Sequence, residues 1–158
     1  MIIIGIDPGT ATTGYGVIRV KVKNKPDCLD YGIIETDRLW TQEKRLKKIH
    51  IEISKLLREY KPDVLMVEKV FFFKNLKTAL PVSEAIGVIL LTAAKKNIPV
   101  ERLTPLQVKM NITGYGRATK KEVQEKVKKI LKLKEIPKPD DAADALAIAI
   151  CYTTLIKR

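Results

Sequence analysis

A chain of 158 residues, 46% of them hydrophobic, suits one core and leaves little room for a second. Its 30 Lys and Arg against 18 Asp and Glu give a formal charge of +12, scattered rather than gathered in a tail, which points to a polyanion, nucleic acid before an acidic membrane surface. The longest apolar run, Ala85 to Ala94, is too short to span a bilayer. A lysine-rich surface suited to heat is the bland competitor for that charge. Cys28 and Cys151 have no ligand spacing and are expected to be reduced core residues of a cytoplasmic protein. The opening residues lack a basic flank and a cleavage site, so no signal peptide is expected.

In chain order, Ile2, Ile3, Ile4 and Ile6 predict a short strand apolar on both faces. Alternation places Ile3, Gly5 and Asp7 on one face, with Gly5 leaving a gap beside the carboxylate. Pro8-Gly9 ends that strand, and a small polar run to Gly14 leads into a second, Tyr15 to Val22. Leu29 to Thr36 predicts a third strand. A helix follows over Thr41 to Tyr60, apolar at Leu46, Ile49, Ile53, Leu56, Leu57 and Tyr60. His50 flanks that stripe without a second histidine or cysteine, so its expected role is structural. Asp63 to Glu68 predicts a fourth strand, again ending in an acid. Leu80 to Asn97 is a helix apolar around nearly its whole circumference, and it therefore needs cover on two sides. Val100 to Leu103 is a fifth strand. Thr104-Pro105-Leu106-Gln107 is a capping box opening a short helix, and Gly114 to Arg117 is a loop. Thr119 and Glu122 open another helix to about Leu133. After Pro137 and Pro139, Asp140 is expected to cap a last helix reaching about Ile156.

This order predicts an α/β domain over residues 1–158: a five-stranded mixed sheet with helices on both faces. Active residues in such sheets gather at the carboxyl ends of central strands, where Asp7 and Glu68 both stand. Asp141 and Asp144 share one face of the last helix's first turn. Acids in a first turn ordinarily complement the helix dipole, which accounts for either of them alone. It does not account for Asp7 and Glu68, which end buried strands with no evident cation beside them. Four converging carboxylates repel unless a divalent cation joins them. With no histidine or cysteine in the set, Mg²⁺ or Mn²⁺ is expected rather than zinc, and a carboxylate-held metal pair in a basic domain suits phosphodiester hydrolysis.

Four segments, in order, carry a resemblance: Ile4-Gly-Ile-Asp-Pro-Gly-Thr10, Val67-Glu-Lys-Val-Phe71, Thr104-Pro-Leu-Gln-Val-Lys109 and Asp141-Ala-Ala-Asp-Ala-Leu-Ala147. Together they resemble the RuvC family of crossover junction endodeoxyribonucleases, within the ribonuclease H-like superfamily. The resemblance implies metal-binding catalytic roles for Asp7, Glu68, Asp141 and Asp144, and two Mg²⁺ per site with Mn²⁺ able to substitute. It also implies paired nicking of four-way (Holliday) junction DNA by a homodimer that cooperates with the branch-migration proteins RuvA and RuvB. Lys109 and Lys120 correspond to family lysines facing the scissile phosphate. In its own right, Lys120 opposes the dipole of the helix it opens, a placement against local preference. Phe71 matches a family position that stacks on an unpaired base, and three successive phenylalanines, Phe71 to Phe73, cannot all face inward. Lys74 and Arg117 complete the expected DNA contacts. Three other readings compete: an actin-like ATPase fragment, on Asp7-Pro-Gly-Thr10; a non-catalytic junction scaffold; and another ribonuclease H-like nuclease. The first lacks a second glycine-rich phosphate loop.

Overall fold

The β-branched run at the start pairs on both sides and becomes the centre of the sheet. In the computed structural model, which describes residues 1–21, 25–69 and 76–155 (side chains of 76–78 excepted), β1 (Ile2–Asp7) lies antiparallel to β2 (Thr12–Val20) and parallel to β4 (Val64–Glu68). The edges are β3 (Pro26–Glu35), antiparallel to β2, and β5 (Val100–Leu103), parallel to β4, giving the order β3-β2-β1-β4-β5. Helices α1 (Gln42–Tyr60) and α2 (Leu76–Ala94) separate β3, β4 and β5 in sequence, and α3 (Pro105–Thr113), α4 (Lys120–Leu131) and α5 (Asp140–Leu155) follow. This is the mixed five-stranded α/β architecture that the pattern predicts. No helix of the described residues is long and apolar enough to cross a membrane.

Strand alternation divides the core in two. Ile3, Ile18 and Met66 face one way, onto Leu146, Ile148 and Val127 of α4 and α5. Ile4, Ile6, Leu65 and Val67 face the other, onto Ile49 and Ile53 of α1 and Ile89 of α2. Each such side chain contributes about 1.5–3 kcal/mol on burial, so a one-residue slip of β1 would exchange its two faces at a prohibitive cost. His50 has the structural role expected of it: its Nδ1 lies 2.7 Å from Thr92 Oγ1. The Thr92 hydroxyl spends its one proton on the Val88 carbonyl, so His50 is the donor, tying α1 to α2.

Several boundaries differ from expectation for local reasons. β2 starts at Thr12, before Tyr15, because Thr13 Oγ1 donates to the Gly9 carbonyl and Thr36 Oγ1 to the Thr10 carbonyl, both at 2.6 Å, making the turn short and fixed. α2 starts at Leu76 rather than Leu80 and carries Pro81 inside it. Gln42 of α1 braces that turn, its Nε2 donating to Glu84 Oε2 at 2.7 Å. α4 stops at Leu131, with Lys132 in the left-handed region at φ 53°. Asp140 is the first residue of α5 rather than its cap: the Ala142 N–H donates to the Pro139 carbonyl, and the Asp140 carboxylate is engaged elsewhere.

The gap at Gly5 admits a helix. A Cβ on Gly5 would collide with the Ala145 carbonyl of α5, one on Gly14 with the Asp141 carbonyl, and one on Gly16 with Leu146. Gly5 lies opposite Gly16, and Asp7 opposite Gly14, so the three glycines form a single seat on one face of β1 and β2. Alanines 142, 143, 145, 147 and 149 line α5 and are all buried. The seat delivers the first turn of α5 to the end of β1. Replacing Gly5 with Val should cost at least ~1–3 kcal/mol by overpacking against backbone that cannot yield. Thermal unfolding measures that loss.

Candidate active site: four acids and a lysine

Parallel pairing of β1 with β4 matches Ile6 with Val67, so the next residues, Asp7 and Glu68, end neighbouring strands about 4.8 Å apart. Both follow residues of the opposite face, and both therefore point to the α5 side, where Asp141 and Asp144 enter over Gly14. Lys120, the first residue of α4, reaches in from the flank: its Nζ lies 2.9 Å from Asp144 Oδ2 and 3.4 Å from Asp140 Oδ2. The two capping boxes are present as expected, Thr104 with Gln107 and Thr119 with Glu122. They fix where α3 and α4 begin, and hence where Lys109 and Lys120 stand.

The electrostatics are those of a site built for positive charge. Burial, then the charges of Glu68, Asp144 and Asp141, push the Asp7 carboxyl up to about 8, with Lys120 only partly offsetting them. Glu68 is pushed up to about 7 by burial and by Asp144. Asp144 is also raised by burial, against the opposing pull of Lys120. Burial works against the Lys120 ammonium, yet contact with Asp144 and Asp140 outweighs it and holds its pKa above the ordinary lysine value. A half-exposed lysine does not neutralise four acids.

Charge and chemistry fit a hard divalent ion: the donors are all carboxylate oxygens, and the strand acids have no other full counter-charge. The side chains are not drawn into a closed cage, since among the described residues no three of His, Cys, Asp or Glu stand close enough to enclose an ion.

The raised acids make stability pH-dependent. Asp7 holds its proton more tightly folded, at about 8, than at its ordinary 3.8. Over that interval the folded state binds more protons, so stability is fully present below the ordinary value and is lost as pH rises through the folded one. In chelator, the thermal midpoint should therefore fall between about pH 5 and about pH 8, and the fall should shrink in Asp7→Asn or with Mg²⁺.

Of the other expected residues, Lys109 is partly buried on α3, and its charge reaches Glu122 at the start of α4. Arg117 is exposed in the loop before α4. Phe71 and Lys74 lie outside the described residues. Sequence reasoning missed the engagement of Asp140 with Lys120 and the glycine seat beneath Asp141. The cross-strand glycines beside an alanine-rich helix were the available signal for the seat.

A family model for Crossover junction endodeoxyribonuclease RuvC matches residues 3–152. A Crossover junction endodeoxyribonuclease RuvC of Fusobacterium nucleatum is 53% identical over 152 residues, covering 96% of this chain and 80% of that protein. One from Dictyoglomus thermophilum is 51% identical, covering 96% of each. Among solved structures, T. thermophilus RuvC in complex with Holliday junction substrate superposes with a TM-score of 0.94 at 36% identity, over 99% of this chain and 95% of that one. The yeast mitochondrial Holliday junction resolvase Ydc2 shares the fold at 14% identity, with a TM-score of 0.70.

Proposed function

The chain belongs to the RuvC family of crossover junction endodeoxyribonucleases, and from that premise we propose how its ribonuclease H-like fold cuts a four-way DNA junction. It is a Holliday junction resolvase, an endonuclease of recombination and repair. The observation that carries the mechanism is the convergence of Asp7 and Glu68 with the first turn of α5, where burial and then the charges of Glu68, Asp144 and Asp141 push Asp7 up to about 8. Asp7, Glu68, Asp141 and Asp144 would hold Mg²⁺, with Mn²⁺ able to substitute and two ions per site. The ions, when bound, activate the attacking water and stabilise the departing 3′-oxygen, leaving 5′-phosphate and 3′-hydroxyl ends.

The chain's own residues do the rest. Asp7 stands at the end of the central strand, where it would serve as an ion ligand, and the hydrogen-bonded turn that follows it restricts its movement. Lys120 and Lys109 face the phosphate and meet charge as it develops. Arg117, Phe71 and Lys74 engage the junction around the cut, and the net charge of +12 draws DNA to the surface as a whole. A homodimer presents two such sites to like strands, and RuvA and RuvB deliver the junction.

Lys120→Ala should lower the cleavage rate at saturating junction by roughly a hundredfold, a typical loss for a group acting on transition-state charge. Loss of affinity alone, with a shallower salt dependence, would make it an ordinary phosphate contact. The wider test is Mg²⁺-dependent cleavage of a mobile four-way junction beside matched duplex, RNA–DNA hybrid and single strand. Selective cutting of the junction supports the proposal, and equal cutting of all four removes it.

A further inference from the structure

Lys120 has two carboxylate partners, and only one of them belongs to the acid set. Asp144 takes the shorter contact, 2.9 Å; Asp140 takes the longer, 3.4 Å, from the outer side. The second oxygen of Asp140 is also occupied, accepting from Gln124 Nε2 at 3.1 Å. A carboxylate can only accept, so the amide nitrogen of Gln124 must face it. Gln124 is only 9% exposed, on α4 one turn after Lys120, between Val123 and Val127. An amide so deeply placed is costly unless bonded, and an apolar residue would pack there at less cost.

We propose that Gln124 and Asp140 are positioning residues for Lys120, holding its ammonium beside the site while Asp144 changes partner. This rests on the reading of Asp144 as an ion ligand. When a divalent ion takes Asp144, Lys120 loses its shorter contact but keeps Asp140, whose orientation Gln124 fixes. The ammonium is then released from the ligand sphere without leaving the site, where it can turn to a phosphate. Without the outer anchor, ion binding would strip Lys120 of its last partner, and the two cations would compete directly for Asp144.

The test is Mn²⁺ affinity of the DNA-free protein, followed by the paramagnetic signal of the free ion. Gln124→Leu changes no charge, and Gln124→Met serves where the branched side chain disturbs folding. Either should weaken Mn²⁺ binding by up to roughly fivefold, and Lys120→Met should tighten it by a similar factor. The decisive comparison is Gln124→Leu in the Lys120→Met background, where the weakening should vanish because no ammonium remains to position. An equal weakening with and without Lys120, or none in either, overturns the proposal. If the wild type binds no Mn²⁺, the ion reading of the acids fails separately. The Lys120 side-chain ¹⁵N signal then decides the positioning: slow exchange lost in Gln124→Leu supports it, and identical exchange in both overturns it.

Discussion

Asp7→Asn should reduce junction cleavage by about a thousandfold or more while leaving junction binding at wild-type strength. The rate loss follows from removing the carboxylate at the centre of the set, where a bound ion supplies several kcal/mol of transition-state stabilisation. Binding should persist because the basic surface is untouched. Stability should hold or rise in the absence of ions, since a carboxyl pushed up to about 8 marks a charge that folding forces into poor surroundings. Gel-shift, single-turnover cleavage and thermal unfolding on one preparation separate these effects. Cleavage near the wild-type rate would remove Asp7 from the site, and loss of binding together with stability would show a collapsed fold instead.

The second large effect concerns the outer side of α2. Its inner residues Ala85, Ile89 and Ala93 pack against the sheet and α1, whereas Leu80 and Leu91 are 63% and 60% exposed. With Glu84, Gly87 and Ala94 they form one stripe at helical spacing, and a Cβ on Gly87 would touch nothing. Two exposed leucines and a bare glycine, interrupted only by Glu84, on a helix already packed on its other side suit a second copy, joined through the same surface. Leu91→Asp should therefore give a folded monomer, losing no more than about 0.5 kcal/mol of intrinsic stability because the residue is exposed. That monomer should nick one strand without completing the paired cut, since one nick leaves the duplexes joined. Light scattering reports the monomer, and a plasmid-borne junction distinguishes one cut from two. A monomer that still makes both cuts in a single encounter would contradict the dimer.

The choice of Leu91 shows what could not be read from the chain. The sequence marks α2 as apolar nearly all round but does not say which apolar residues meet the sheet. Ile89 and Leu91 are equally apolar and two residues apart, yet the fold buries the first completely and leaves the second 60% exposed. Strands were legible where β-branched runs end at turns, as at Ile2–Asp7, and helix starts where capping boxes occur, as at Thr104 and Thr119. Asp7 and Glu68 were legible as acids ending apolar strands, because that placement conflicts with local energetics. The placement of Asp141 beside Asp7 was not legible, because it depends on Gly5 meeting Gly16 across two strands and on α5 settling into the space they leave. The start of α2 at Leu76 was not legible either: the helix runs through Pro81, and Gln42 of α1 donates to Glu84 just beyond it.

Burial and mutual repulsion raise the carboxyls of Asp7, Glu68 and Asp144, a cost that a divalent ion would relieve. The measurement that tests this most directly is the titration of the Asp7 and Glu68 side-chain carboxyl carbons by NMR, with and without Mg²⁺. Without the ion, Asp7 should titrate near 8 and Glu68 near 7. With saturating Mg²⁺, both should fall below the ordinary carboxylate values, because the ion binds only the ionised forms. Ordinary titration near 4 for both carboxyls, unmoved by Mg²⁺, would contradict the account.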